Sequence, residues 1–386
     1  MPKQSGEMIM NPLRRIQDFG QSIWYDNIER RMLQSGELAR LIHEDGLRGI
    51  TSNPTIFEKA ITSSNDYNDS LAKWLYTAAR QDSRALFFDL AIEDIQGAAD
   101  LLKPVFDETQ GRDGFVSLEV SPDLAYDVEA TVAEAERLHD RVNRVNLMIK
   151  VPATREGVLA FEKLVTKGIN VNVTLLFSVE RYKEVVEAYL VGLETRLRQG
   201  LAISDIASVA SFFVSRVDSA VDALLKGSGK TNPDVARLQG RIAIANAKLA
   251  YAWYQRICNS PRFEKLRQAG AATQRLLWAS TGTKNPDYSD VLYLDSLIGP
   301  DTVNTVPPAT YAAYKDHGQP RSSLTEGVDE AEHQITMLKS LGIDIDAVTK
   351  QLETEGVQSF AKSFTNLLKA IDTKTNMLRN NRRAIG

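Results

Sequence analysis

The chain has 386 residues, 46 Lys and Arg against 50 Asp and Glu for a net charge of −4, one cysteine, and 43% hydrophobic residues. The hydrophobic share is that of a globular chain with a packed core and excludes a disordered one. Near-neutral charge with both signs interspersed excludes nucleic acid and membrane as expected partners, and a lone cysteine excludes an internal disulfide and fits a reducing compartment.

At the N-terminus, residues 1–12 (MPKQSGEMIMNP) contain no apolar run of an export signal, and nowhere do about 18 apolar residues follow one another, so a cytoplasmic protein is expected. Short β-branched or aliphatic runs then alternate with longer segments. In chain order they are 22–26 (SIWYD), 49–53 (GITSN), 115–120 (FVSLEV), 147–151 (LMIKV), 170–177 (NVNVTLLF), 207–214 (ASVASFFV), 275–280 (RLLWAS) and 302–306 (TVNTV). Between them, Leu33, Leu38, Leu41 and Ile42, and again Val128, Val132, Ala135 and Leu138, recur at helical spacing. Nearly continuous apolar strands are buried on both faces, and eight in regular alternation with helices predict an α/β fold closed into a single (β/α)8 barrel of the TIM type. Such a barrel needs about 250 residues. The surplus falls at 54–114, 215–273 and from 307 onward, where helical texture, for example over 234–257, predicts added helices. No Pro/Ser/Gly-rich linker divides the chain, so residues 1–386 are expected to form one domain. Cys258 reads as a small buried thiol at the end of a helix, and the basic Arg379, Arg382 and Arg383 as a solvated terminus.

In a parallel barrel the chemistry gathers at the C-terminal ends of the strands. The polar residues there are Asp26, Asn53, Glu119, Lys150, Asn172, Thr174, Ser211, Arg216 and Ser280. Singly, Asn53 or Ser211 reads as well as a satisfied structural group. Together, two carboxylates, a lysine and two amides in one apolar mouth cost several kcal/mol unless they pair or serve a ligand. Lys150 stands inside Leu147-Met148-Ile149-Lys150-Val151-Pro152. Desolvation of an ammonium favours the free amine, the nucleophile that attacks a ketone to form a Schiff base. A buried lysine paired to Glu119 or Asp26, with no covalent role, fits the same residues. Schiff-base formation needs a group to protonate the departing hydroxyl, and cleavage of a neighbouring carbon bond needs a base, tasks that Asp26 and Glu119 could divide.

Four runs carry a resemblance. The segments 49–57 (GITSNPTIF), 147–157 (LMIKVPATREG), 168–178 (GINVNVTLLFS) and 211–218 (SFFVSRVD), in this order and with Asp26 and Glu119 in place, resemble the signature blocks of the transaldolases. The resemblance covers the barrel and is weakest after residue 311. It implies a metal-free, cofactor-free transferase of the pentose phosphate pathway that moves a dihydroxyacetone unit between sugar phosphates. By similarity Lys150 forms the Schiff base with fructose 6-phosphate or sedoheptulose 7-phosphate. Asp26 handles the proton at the cleaved bond, and Glu119 with Thr174 positions a water. Asn53 and Asn172 hold the three-carbon unit, and Ser211, Phe213, Arg216, Ser280 and Lys284 complete the substrate-binding set. One departure stands out: many members carry Ser-x-Arg after the seventh strand, whereas here 280–284 reads STGTK, which makes Lys284 the candidate second phosphate cation. The pattern is closest to a longer bacterial subgroup, some of whose members are fused to a phosphoglucose isomerase, for which 386 residues leave no room. A monomer or homodimer is expected.

Other features read as decoys. Gly227-Ser228-Gly229-Lys230-Thr231 resembles the end of a P-loop, but Leu224 stands where the motif needs glycine, and a helix precedes it. His43, His139, His317 and His333 lack metal-ligand spacing and read as solvated or on helical faces. The sequons at Asn68 and Asn172 matter only in a secreted protein. Two rivals remain: a sugar-phosphate aldolase, which shares the lysine but releases its three-carbon unit to water, and a silent sugar-phosphate-binding barrel, which needs no amine nucleophile.

Overall fold

The computed structural model describes residues 11–77, 82–227 and 233–383. The N-terminal segment 1–10 and, from residue 228, the P-loop-like stretch lie outside the described residues. Eight strands close into a parallel barrel in sequence order: β1 (Gln21–Tyr25), β2 (Gly49–Ile50), β3 (Phe115–Glu119), β4 (Leu147–Pro152), β5 (Val171–Leu176), β6 (Ser208–Phe213), β7 (Arg275–Ala279) and β8 (Thr302–Val306). These are the eight expected runs. β2 is the shortest, because Asn53 leaves the sheet to cap the helix Pro54–Ser63, its side-chain oxygen accepting the Ile56 N–H at 3.0 Å ahead of a proline in the first turn.

Strand alternation sorts the side chains. Val209, Ser211 and Phe213 share a face with their β7 partners Arg275, Leu277 and Ala279, and these line the barrel interior, while Phe212 and Trp278 face the surrounding helices, their rings 6.1 Å apart. The N-terminal end of the barrel is closed by polar groups. There Arg275 bonds Asp113 at 2.8 Å and Ser22 at 3.0 Å, and Ser22 and Trp24 both donate to Asp113. A cavity of about 660 Å³ lies at this end, lined by Phe106, Phe115, Met148, Arg112 and Arg275 among others, and contains no residue of the expected catalytic set.

The surplus segments are helical, as expected. They include Ser83–Glu108 after β2, Ser215–Gly227, Pro233–Leu238, Ile242–Cys258 and Pro261–Gln268 between β6 and β7, and Pro308–His317, Val328–Ser340 and Ile345–Arg383 after β8. One expectation needs correction. The continuous run 234–257 is two helices, interrupted at residues 239–241, where Gly240 takes a left-handed φ of 67°. A second concerns the C-terminus. Arg379, Arg382 and Arg383 belong to the 39-residue helix Ile345–Arg383, and Arg379 is half-buried instead of standing on a solvated tail. This helix lies along Pro54–Ser63, bonds it through Thr55 and Ser363 at 2.9 Å, packs Phe364 against Phe87, and brings Gly356 up to Leu175 and Phe177 beside the barrel mouth. Cys258 is partly buried, and burial pushes its thiol up to about 11. His43, His317 and His333 are exposed, and His139 is half-buried. Among the described residues, no helix is long and apolar enough to cross a membrane, and no group of His, Cys, Asp or Glu could hold a metal ion.

Candidate active site

The register of the sheet assembles the site. Glu119 pairs with Lys150 and Lys150 with Asn172, so three successive strands present a carboxylate, an amine and an amide side by side on the inner face. Lys150 Nζ donates to the Ser52 carbonyl at 3.2 Å and stands 3.8 Å from Glu119 Oε2, an ion pair without a hydrogen bond, with both side chains 5% exposed. Asn172 donates to Ser117 Oγ at 3.1 Å and accepts from Ser211 Oγ at 2.7 Å, which fixes its amide orientation. One strand later the ladder between β5 and β6 slips between Val173 and Leu176, and Leu175 adopts a φ of 58°. Such a bulge re-aims a side chain at the cost of local strain. The residue before it is Thr174, whose buried Oγ1 has no hydrogen-bond partner, as is also true of Glu119 Oε2. Two orphaned buried oxygens at one end of a barrel are acceptors prepared for a water or substrate hydroxyl.

Asp26 follows β1. Its Oδ1 accepts from Thr51 Oγ1 at 2.7 Å, and Thr51 in turn lies 2.5 Å from Thr305 Oγ1. Lost hydration pushes the Asp26 pKa up, opposed by Lys150, Thr51, Lys284 and Arg216. The same loss raises Glu119 to about 7, against the pull of Lys150 and with added repulsion from Asp26. Two carboxyls, both shifted upward by burial, therefore stand around one amine. Of the two carboxylates expected as ion-pair partners of Lys150, Glu119 stands within ion-pair distance and Asp26 does not.

Toward solvent, the Arg216 guanidinium lies 5.3 Å over the Phe213 ring, half-buried, with its pKa lowered by desolvation. It does not pair with Asp218, whose oxygens are taken by the Ala243 N–H and the Tyr293 hydroxyl. Ser280 bonds Ser215 side chain to side chain at 2.9 Å and has a φ of 55°. Lys284 is exposed on the loop after β7, close enough to Asp26 to favour its ionised form. Asn53 has its side-chain oxygen committed to the helix cap, so only its NH2 remains for a ligand. Thus Asp26, Glu119, Lys150, Asn172, Thr174 and Ser211 meet inside the mouth, with Asn53, Phe213, Arg216, Ser280 and Lys284 around it. Sequence reasoning did not single out Thr51, Ser52 and Thr305, which hold Asp26 and Lys150; the first two lie in the GITSN run, whose polar content was the available signal.

An amine facing two high-pKa carboxyls is the equipment for covalent chemistry on a carbonyl. The family model described as transaldolase/fructose-6-phosphate aldolase matches residues 23–371. The chain is 48% identical to a transaldolase of Thiobacillus denitrificans, covering 94% of this chain and 100% of the relative. It is 45% identical to a transaldolase of Trichodesmium erythraeum and to transaldolase 2 of a Nostoc species, in both cases over 96% of this chain and 99% of the relative. With the fold, the site and near full-length similarity in agreement, the chain belongs to the transaldolase/fructose-6-phosphate aldolase family.

Proposed function

We propose that Lys150 carries the transaldolase reaction of this chain, the transfer of a dihydroxyacetone unit between sugar phosphates of the pentose phosphate pathway, through a Schiff base. The observation behind this reading is the buried Lys150 amine facing Glu119, beside two oxygens without partners. The amine adds to the ketone carbon of fructose 6-phosphate or sedoheptulose 7-phosphate. The resulting hydroxyl leaves as water, with a proton delivered by Glu119 through a water that Thr174 also holds. Asp26 then takes the proton of the hydroxyl on the carbon to be released. As the carbon–carbon bond breaks, its electron pair moves into the iminium to give an enamine, and glyceraldehyde 3-phosphate or erythrose 4-phosphate departs. The second aldehyde enters, the enamine carbon attacks it, Asp26 returns the proton, and hydrolysis frees Lys150.

A base poised nearer neutrality than a free aspartate suits that step, and burial raises Asp26 in that direction. Asn53, Asn172 and Ser211 bind the hydroxyls of the three-carbon unit, Phe213 walls it, and Arg216, Lys284 and Ser280 receive the phosphate. Each barrel carries all these groups, so the chain works as a monomer or homodimer, in the cytoplasm where its substrates are made. The test is a coupled assay with fructose 6-phosphate. Release of glyceraldehyde 3-phosphate that depends on added erythrose 4-phosphate is the expected result. Equal release without the acceptor would identify an aldolase, and no release a binding protein.

A further inference from the structure

Between β7 and the helix Leu292–Ser296 runs the loop that carries Lys284, and one face of the helix Ser215–Gly227 grips this loop at two points and the following helix at a third. Ser215 Oγ meets Ser280 Oγ at 2.9 Å, Asp218 Oδ2 accepts from the Tyr293 hydroxyl at 2.9 Å, and Asp222 Oδ2 accepts from the Tyr288 hydroxyl at 2.6 Å. Residues 215, 218 and 222 are spaced i, i+3 and i+7, a single stripe on a helix. The remaining carboxylate oxygens are anchored too, since Asp218 Oδ1 accepts the Ala243 N–H at 2.7 Å and Asp222 Oδ1 the Gly240 N–H at 3.1 Å. Both aspartates are buried. A Cβ at Gly240 would lie 2.8 Å from the Tyr288 ring on a residue with a left-handed φ of 67°, so the ring would have to shift. The break at residues 239–241 thus provides the seat into which Tyr288 packs. Arg216 projects from the first turn of the gripping helix, and Lys284 lies between the first and last grips.

We propose that Asp222 and Tyr288 are positioning residues that set Lys284 relative to Arg216, and so determine how strongly the site prefers phosphorylated sugars. The proposal rests on the reading of Lys284 as a phosphate cation. Without the Tyr288 anchor the exposed lysine loses its fixed place, whereas the groups around Lys150, held by the barrel strands, keep theirs.

The test compares Tyr288→Phe, Asp222→Asn and Lys284→Ala, with folding checked by thermal melting, for steady-state kinetics on fructose 6-phosphate and on unphosphorylated dihydroxyacetone. Tyr288→Phe and Asp222→Asn are each expected to raise KM for fructose 6-phosphate several-fold at unchanged kcat, with the rate on dihydroxyacetone within twofold of wild type. The double variant Tyr288→Phe/Lys284→Ala should be no worse in KM than Lys284→Ala. If Lys284→Ala raises KM while both folded anchor variants leave it unchanged, the positioning role is overturned and the reading of Lys284 stands. If Lys284→Ala leaves KM unchanged, the reading of Lys284 fails and the proposal with it. Equal losses on both donors would make the clamp merely structural and also overturn it.

Discussion

Lys150 is nearly inaccessible to water, and among the described residues the only charge within ion-pair distance of it is Glu119 at 3.8 Å. Borohydride reduction in the presence of fructose 6-phosphate should therefore attach a three-carbon unit to Lys150 and to no other lysine. In Asp26→Ala the imine should still form but the carbon bond should not break, so that the trapped adduct keeps six carbons and turnover falls by about 10²-fold or more, the usual size of a general acid–base contribution. Mass spectrometry of the peptide decides both, and near-normal turnover in Asp26→Ala would remove it from the mechanism. Glu119 supports a stability prediction. Its folded pKa is raised to about 7 from 4.5, so the folded state binds the proton more tightly than the unfolded chain, and the group's contribution is lost as pH rises from about 4.5 through 7. Glu119→Gln should accordingly lose less stability than wild type over that window, read as urea midpoints at pH 5 and pH 7. Asp218, also held near 7 by burial, acts with the same sign in both proteins and drops out of the comparison.

At the scale of the element, β4 and the helix that follows it are joined through a close turn. Thr154 caps the helix Arg155–Lys167, its Oγ1 accepting the Gly157 N–H at 2.9 Å. Gly157 itself has no room for a side chain, since a Cβ there would fall 1.8 Å from the Pro152 carbonyl oxygen. Pro152 is the last residue of β4 and lies two residues beyond Lys150, so relief of that clash must move the strand that carries the amine. Gly157→Ala is predicted to destabilise by about 3 kcal/mol or more, at the upper end for single substitutions, and to lose activity with it. Thr154→Ala, which removes the cap and the buried hydrogen bond that Thr154 Oγ1 donates to the Ala125 carbonyl, should cost about 1–2 kcal/mol. Denaturant titration of the two variants separates clash from cap, and equal losses would show that the turn can yield.

For the whole molecule, the two ends of the barrel divide the work. The groups proposed to react occupy the C-terminal end, while the N-terminal end is closed by the buried Arg275–Asp113 pair, both side chains 6% exposed. Removing one partner of such a pair strands the other, so Arg275→Met is predicted to destabilise by about 3 kcal/mol. The kcat of the folded variant should remain that of wild type, and a large fall in kcat would show that the ends are coupled. The helix Ile345–Arg383 packs on Pro54–Ser63 and on β5 instead of forming a core of its own. We therefore expect residues 1–386 to behave as one domain in limited proteolysis. Release of that helix with an intact, active barrel left behind would divide it.

Periodicity in the sequence was enough for the eight strands and for most of the inner site, because a strand alternates its faces and adjacent parallel strands end at one rim. Asp26, Glu119, Lys150, Asn172 and Ser211 are expected to meet from their places in these runs alone. The chain alone also determined the family, through the ordered runs around Asn53, Lys150, Asn172 and Ser211. Only tertiary structure decided that Glu119, and not Asp26, is the charge partner of Lys150, since that depends on register across strands. It also decided that the ladder between β5 and β6 slips beside Thr174, that Gly240 interrupts a helical pattern to admit Tyr288, and that Arg275 meets Asp113 across 162 positions of sequence. Each of these depends on one side chain finding space or a partner on an element distant in the chain, and local patterns of polarity carry no record of that distance.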